Sequence, residues 1–216
     1  MTAINARSLS RFAIVWLALF SIVACAPTTS KRPPTKARAN IEIQDTVGFT
    51  IVEKTRAGSA VRGDYNSALT YLQQGRHEEG VALLESVAES VPDLSAPHID
   101  LGIAHHRAGD LDAAESNLLL AIESNPNHPI AHNELGIVYR KTGRFADARK
   151  SYETALSIYP GYHYARRNLA VLCDLYLADL DCALRNYEAY MATVPSDEEA
   201  SMWIADLRNR LGRPEE

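Results

Sequence analysis

The chain has 216 residues, 46% of them hydrophobic and 23% charged, a globular balance in a chain long enough for one domain with a real core. Its formal net charge is −5; residues 1–24 carry Arg7 and Arg11 and no acid, so without them 20 basic residues face 27 acidic ones. That acidic balance argues against a nucleic-acid partner. The first predicted element is a secretion signal over residues 1–24: a weakly basic start, an apolar run from Phe12 to Val23 broken only by Ser21, and the small residue Ala24 before Cys25. The run is too short for a membrane-spanning helix.

The residues Ile22-Val23-Ala24-Cys25 resemble the bacterial lipobox, whose cysteine is acylated and becomes the mature amino terminus. The resemblance implies a lipid on Cys25, and several acyl chains, at about 0.8 kcal/mol per buried methylene, hold a protein on a bilayer. Ala26, rather than Asp, follows the cysteine, which in such lipoproteins implies sorting to the outer membrane, here with the chain on its periplasmic face. The alternatives are an ordinary signal peptide cut elsewhere or an uncleaved anchor. Residues 25–40 follow as a lipidated flexible linker with three prolines and four basic residues; its charges are either solvated or touch anionic lipid or peptidoglycan. Over residues 41–60, Ile41, Ile43, Val47, Phe49 and Ile51 alternate with polar residues around Gly48. This strand periodicity predicts a short hairpin covering the first repeat or an extended segment along it.

From residue 61 the period changes. Gly75, Gly109 and Gly143 are spaced by 34 residues, and so are Pro92, Pro126 and Pro160. Within each period a first helix carries a small residue (Ala68, Gly102, Gly136) and a bulky one (Tyr71, His105, Tyr139). The second helix does the same with Gly80, Ala114 and Ala148, then Leu84, Leu118 and Tyr152. Small residues at that spacing let two helices approach closely while bulky ones fill the gaps beside them, and a single hairpin cannot bury its own apolar face. A fourth copy starts at His163, but its turn lacks glycine and is one residue longer, so Ala183, Tyr187 and Pro195 follow their counterparts by 35. Residues 61–195 thus make four repeats. Over 196–212, Ser196 with Glu199 predicts a capping box, and Ala200, Trp203, Ile204, Leu207 and Leu211 predict one apolar face of a terminal capping helix.

These residues place the chain as resembling the tetratricopeptide repeat family, which implies an all-α, right-handed superhelical solenoid of about four helix-turn-helix repeats. The run Asn168 to Tyr190, with Met202 to Gly212 and Gly48 to Arg56, resembles a narrower group. These are bacterial repeat lipoproteins found beside ExbB, ExbD and TonB-like energy-transducing components. Type IV pilus pilotins are also lipidated repeat proteins of this general size. The resemblance implies a scaffold for protein–protein interaction in either setting, with a protein or peptide segment in the concave groove, the membrane reached through the lipid, and no small-molecule substrate.

No phosphate loop, paired-histidine metal motif or Gly-flanked nucleophilic serine occurs, so no enzyme, no cofactor and no metal is expected. His98, His105, His106 and His132 lie on neighbouring first helices, but three of them take packing positions of their repeats, which favours packing over zinc ligation. The family's inward positions two, five, nine and twelve fall on Tyr65, Leu69 and Leu72, then Ile99, Ile103 and His106, then Ile130, Asn133, Ile137 and Arg140, then Tyr164, Arg167, Val171 and Asp174. This is an apolar trough with basic residues toward one end. Position nine is apolar in every copy, so a carboxylate clamp is not expected, and an extended or helical segment with apolar anchors fits. The competing reading fills the trough with the chain's own residues 41–51. Finally, Cys173 and Cys182 flank the altered fourth turn, which predicts either a disulfide across the helix pair or two buried thiols.

Overall fold

The computed structural model describes residues 41–46, 48–53 and 57–213; the expected signal sequence, Cys25 and the expected linker lie outside the described residues, as does Val47. A two-stranded antiparallel hairpin comes first, β1 (Ile41–Thr46) and β2 (Gly48–Glu53), with Ile43 opposite Ile51 and Thr46 opposite Gly48. Nine helices follow among the described residues. They form four antiparallel pairs and a terminal helix: α1 (Ser59–Gln73) with α2 (His77–Ser90), α3 (Ser95–Ala108) with α4 (Leu111–Ser124), α5 (Pro129–Lys141) with α6 (Phe145–Ile158), α7 (His163–Leu175) with α8 (Leu180–Met191), then α9 (Glu198–Arg210). Among these residues no helix is long and apolar enough to cross a membrane.

The first three turns are alike. Gly75, Gly109 and Gly143 adopt φ of +77, +87 and +78°, a left-handed conformation that costs a residue with a Cβ about 1–2 kcal/mol. There the amide of the next residue reaches back to the last turn of the helix, as Arg144 N does to Tyr139 O at 2.8 Å, satisfying carbonyls the helix end leaves open. Close approach of the paired helices depends on the small residues. A Cβ on Gly136 would sit 2.6 Å from Tyr152 Cε1, and Tyr152 itself is fully buried. The equivalent buried side chains Leu84, Leu118 and Tyr187 line up through the other repeats.

The fourth turn is built differently. Ala178 takes a positive φ of 51°, and the extra residue moves the closing hydrogen bond to Asp179 N with Cys173 O, 2.8 Å apart. Asp179 caps α8 by accepting from Cys182 N at 3.1 Å and accepts from Arg149 Nη2 of the preceding repeat at 2.6 Å. Cys173 and Cys182 are joined by a disulfide with their Cα atoms 5.8 Å apart.

The terminal helix buries Ala200, Ile204 and Leu207, with Trp203 and Leu211 packed against the same core. Its cap differs from the expected one. Asp197, not Ser196, is the N-cap: its carboxylate accepts from Ala200 N at 3.0 Å and from the Tyr190 hydroxyl at 2.7 Å. The carboxylate wins because it satisfies a helix amide and the phenol of the buried Tyr190 together.

Candidate functional site: the groove of the first helices

First helices touch one another directly, α3 with α5 and α5 with α7, whereas the second helices are splayed apart. The first helices therefore form the inner, concave side. Along it, Leu69, Ile103, Ile137 and Val171, one per repeat, are half-buried, neither core nor free surface. Ile130 and Leu72 are likewise half-buried, and Tyr164 is 59% exposed at the far end. Between α1 and α3 the groove deepens into a cavity of about 190 Å³ lined by Leu69, Leu72, Ile103, Asp100 and Arg107 among others.

The residues at position five behave differently from the sequence expectation. Ile99 and Asn133 are only 5% and 2% exposed, so both leave the groove surface and belong to the seam between neighbouring first helices. The direct contact of these helices is the reason. Position five of one repeat meets position six of the next: the Tyr65 hydroxyl donates to Asp100, and Asn168 Nδ2 donates to Asn133 Oδ1 at 2.9 Å, each pair 35 residues apart. In the middle rung Ile99 has no polar atom to offer, and Glu134 accepts instead from its own neighbour Asn133 at 3.0 Å.

Asp100 and Glu134 are residues the sequence reading passed over, although acids 34 residues apart on consecutive first helices are a visible signal. Burial raises the carboxyl pKa of both; the Tyr65 hydroxyl, or the Asn133 amide, and then Arg107 oppose the rise. Asp100 also lines the cavity between α1 and α3.

The basic end is partly neutralised from within. Arg140 donates to the hydroxyls of Tyr152 and Tyr176 at 3.4 and 3.5 Å and lies over the Tyr176 ring. Arg167 pairs with Glu199 at 3.5 Å and lies 5.2 Å from the Trp203 ring centre, while Asp174 pairs with Arg210 at 2.9 Å. Helix α9 therefore supplies partners to the last first helix. His106 stays in the groove wall, and burial, followed by the nearby charges of Lys141, Arg107 and Arg140, lowers its pKa. The other histidines find separate neighbours: His98 lies 3.4 Å from Asn117, and His132 Nε2 is 2.9 Å from the Pro126 carbonyl. Among the described residues the grouping with metal-ligand spacing is Cys173, Asp179 and Cys182, whose sulfurs are bonded to each other.

A tetratricopeptide repeat profile matches residues 65–129 and, one period on, 99–163. No curated protein matches the sequence. Among solved structures, MamA from Desulfovibrio magneticus RS-1 superposes with a TM-score of 0.63 at 20% identity, over 73% of this chain and 89% of that one. PilF of Pseudomonas aeruginosa gives 0.65 at 19% identity, over 71% and 69%. Periodic glycines, paired helices and an inner face of first helices are what such repeats build. Residues 65–163 thus carry tetratricopeptide repeats, within a stack of helix pairs that makes an all-α solenoid.

Proposed function

We propose that the protein is a non-catalytic scaffold, anchored by a lipid on Cys25 to the periplasmic face of the outer membrane, whose groove holds a segment of a protein in an ExbB/ExbD/TonB-like envelope complex. The observation that carries the groove is the row Leu69, Ile103, Ile137 and Val171: one half-buried apolar side chain per repeat, at a constant interval along the inner face. A segment laid across that row buries apolar side chains at regular spacing and fixes its register through the polar groups beside them. The lipid anchor rests on the lipobox pattern that ends at Cys25.

Capture from envelope extracts with the full chain as bait tests the client. ExbB- or TonB-like chains retained by the parent protein, and released by Ile137→Glu or Tyr164→Ala with helix content and melting unchanged, are the expected result. If the two changes unfold the protein, these side chains are core and the groove is not a site. A second reading, an assembly factor escorting a secretin or pilus component, is compatible with the likeness to PilF, which at 19% identity carries the fold alone. Retention of a secretin-like ring instead of TonB-like chains favours it. For the anchor, Cys25→Ser is expected to leave a soluble or uncleaved protein on fractionation.

A further inference from the structure

The first helices do not approach one another equally. Helix α3 meets α5 closely and α5 meets α7, but α1 stands off from α3, and the cavity of about 190 Å³ lies in that gap. Its size limits what it can take. Small-molecule sites run from roughly 300 Å³ upward, so this one is matched to a single side chain. Leu69 and Leu72 wall it from α1 and Ile103 from α3, each half-buried and so within reach of an incoming group.

Two charged residues complete the lining. The Asp100 carboxylate accepts from the Tyr65 hydroxyl through Oδ2, and its Oδ1 has no hydrogen-bond partner among the described residues. Arg107 stands two turns further along the same face of α3, and its charge acts on that carboxyl. It is exposed and makes no hydrogen bond or ion pair with a described residue, so it is free to lie on whatever enters. Gln73 and His77 also line the cavity, but both are exposed and keep their water.

An occupant must therefore present an apolar body, a donor for Asp100 Oδ1 and no positive charge beside Arg107. Phenylalanine would strip water from Oδ1 without replacing its hydrogen bond. Lysine has the donor but sets its ammonium in one small cavity with the guanidinium. Tyrosine meets every condition, and tryptophan does so only with a bulkier double ring. This chain already makes both half-contacts with its own tyrosines: Tyr190 donates to Asp197 at 2.7 Å, and Arg76 and Arg144 lie 4.0 Å from the ring centres of Tyr71 and Tyr139. Residues 1–56 contain no tyrosine, so the phenol has to come from another chain.

We propose that this cavity is the specificity pocket of the groove and takes the side chain of a tyrosine in the bound protein segment. The proposal rests on the groove reading above and names the residue that the groove selects. The ring packs between Leu69 and Leu72 on one side and Ile103 on the other, the hydroxyl donates to Asp100 Oδ1, and Arg107 closes over the ring.

The test is methyl NMR on the full chain with four probes, the N-acetyl amides of tyrosine, phenylalanine, tryptophan and lysine. The tyrosine probe is expected to shift the methyl signals of Leu69, Leu72 and Ile103 and to bind about tenfold more tightly than the other three. Asp100→Asn should weaken it about tenfold. Arg107→Gln, at an exposed position, should weaken it about threefold and bring the lysine probe level with it. Leu69→Trp, which fills the cavity, should abolish binding, and Ile137→Glu in α5 should leave it unchanged. Equal binding of the phenylalanine probe overturns the proposal in favour of an apolar anchor such as the chain's own Phe49. Tightest binding of the lysine or tryptophan probe also overturns it, as does insensitivity to Asp100→Asn and Arg107→Gln; if Asp100→Asn unfolds the protein, Arg107→Gln and Leu69→Trp decide. No shift at the cavity with any probe overturns the pocket and leaves the groove reading to the capture experiment. Conversely, capture that survives Ile137→Glu while the tyrosine probe binds as expected overturns the groove and leaves the pocket.

Discussion

The third and fourth repeats solve one problem, closing two antiparallel helices, in two ways. In the third, Gly143 turns the chain at φ +78° and Gly136 lets α5 settle onto Tyr152, so closure comes from backbone freedom and packing. In the fourth, the turn is one residue longer, Ala178 sits at positive φ, and closure comes from the Cys173–Cys182 bond, with Asp179 capping α8 and holding Arg149. A covalent link tolerates turn chemistry that packing alone would not. It also makes the last repeat, and α9 stacked on it, dependent on oxidation, whereas the first three repeats are indifferent to it.

The largest expected effect follows from that dependence. Cys173→Ser with Cys182→Ser, or reduction of the parent chain, should lower stability by about 2–3 kcal/mol for so short a loop. Hydrogen exchange should place the loss in α7, α8 and α9 while α1–α6 keep their protection; a uniform loss would end the contrast between the repeats. Next, Gly136→Ala should cost about 1–3 kcal/mol, because the new Cβ would lie 2.6 Å from a buried tyrosine ring that has nowhere to move. Denaturant melts measure it, and reductant should leave the difference unchanged.

Smaller effects come from the turns themselves. Gly143→Ala should cost about 1 kcal/mol and Ala178→Gly should gain about 0.5–1 kcal/mol, opposite signs at equivalent turns; equal signs in thermal melts would show that the two turns are not equivalent after all.

The smallest concerns the acids of the seam. Glu134 has a folded-state pKa raised above its model-peptide value, so the folded state binds its proton more tightly than the unfolded chain does. Its favourable contribution is complete below the unfolded value of 4.5 and is lost as pH rises through the folded value. Glu134→Gln should therefore raise the melting temperature at pH 7, by up to about 1 kcal/mol of stability, and the gain should shrink toward pH 4. A gain that persists unchanged at pH 4 would assign it to packing instead of charge.

Much of the solenoid was legible in the chain itself. The 34-residue recurrence of glycine and proline, with small and bulky residues between, determined the paired helices, since only a few residue types permit a left-handed turn or a close helix approach. Alternation determined the strand character of residues 41–46 and 48–51. Whether position five is groove or seam was settled only when neighbouring first helices met: Ile99 and Asn133 share a helix face with Ile103 and Ile137, and periodicity cannot tell depth along that face. The choice of Asp197 over Ser196 as a cap depended on Tyr190, which the fold brings alongside. Likewise, Asp100 and Glu134 became distinctive only through burial, because a carboxyl group's pKa reports the dielectric and the donors around it, and those are assembled from three different helices, α1, α3 and α5.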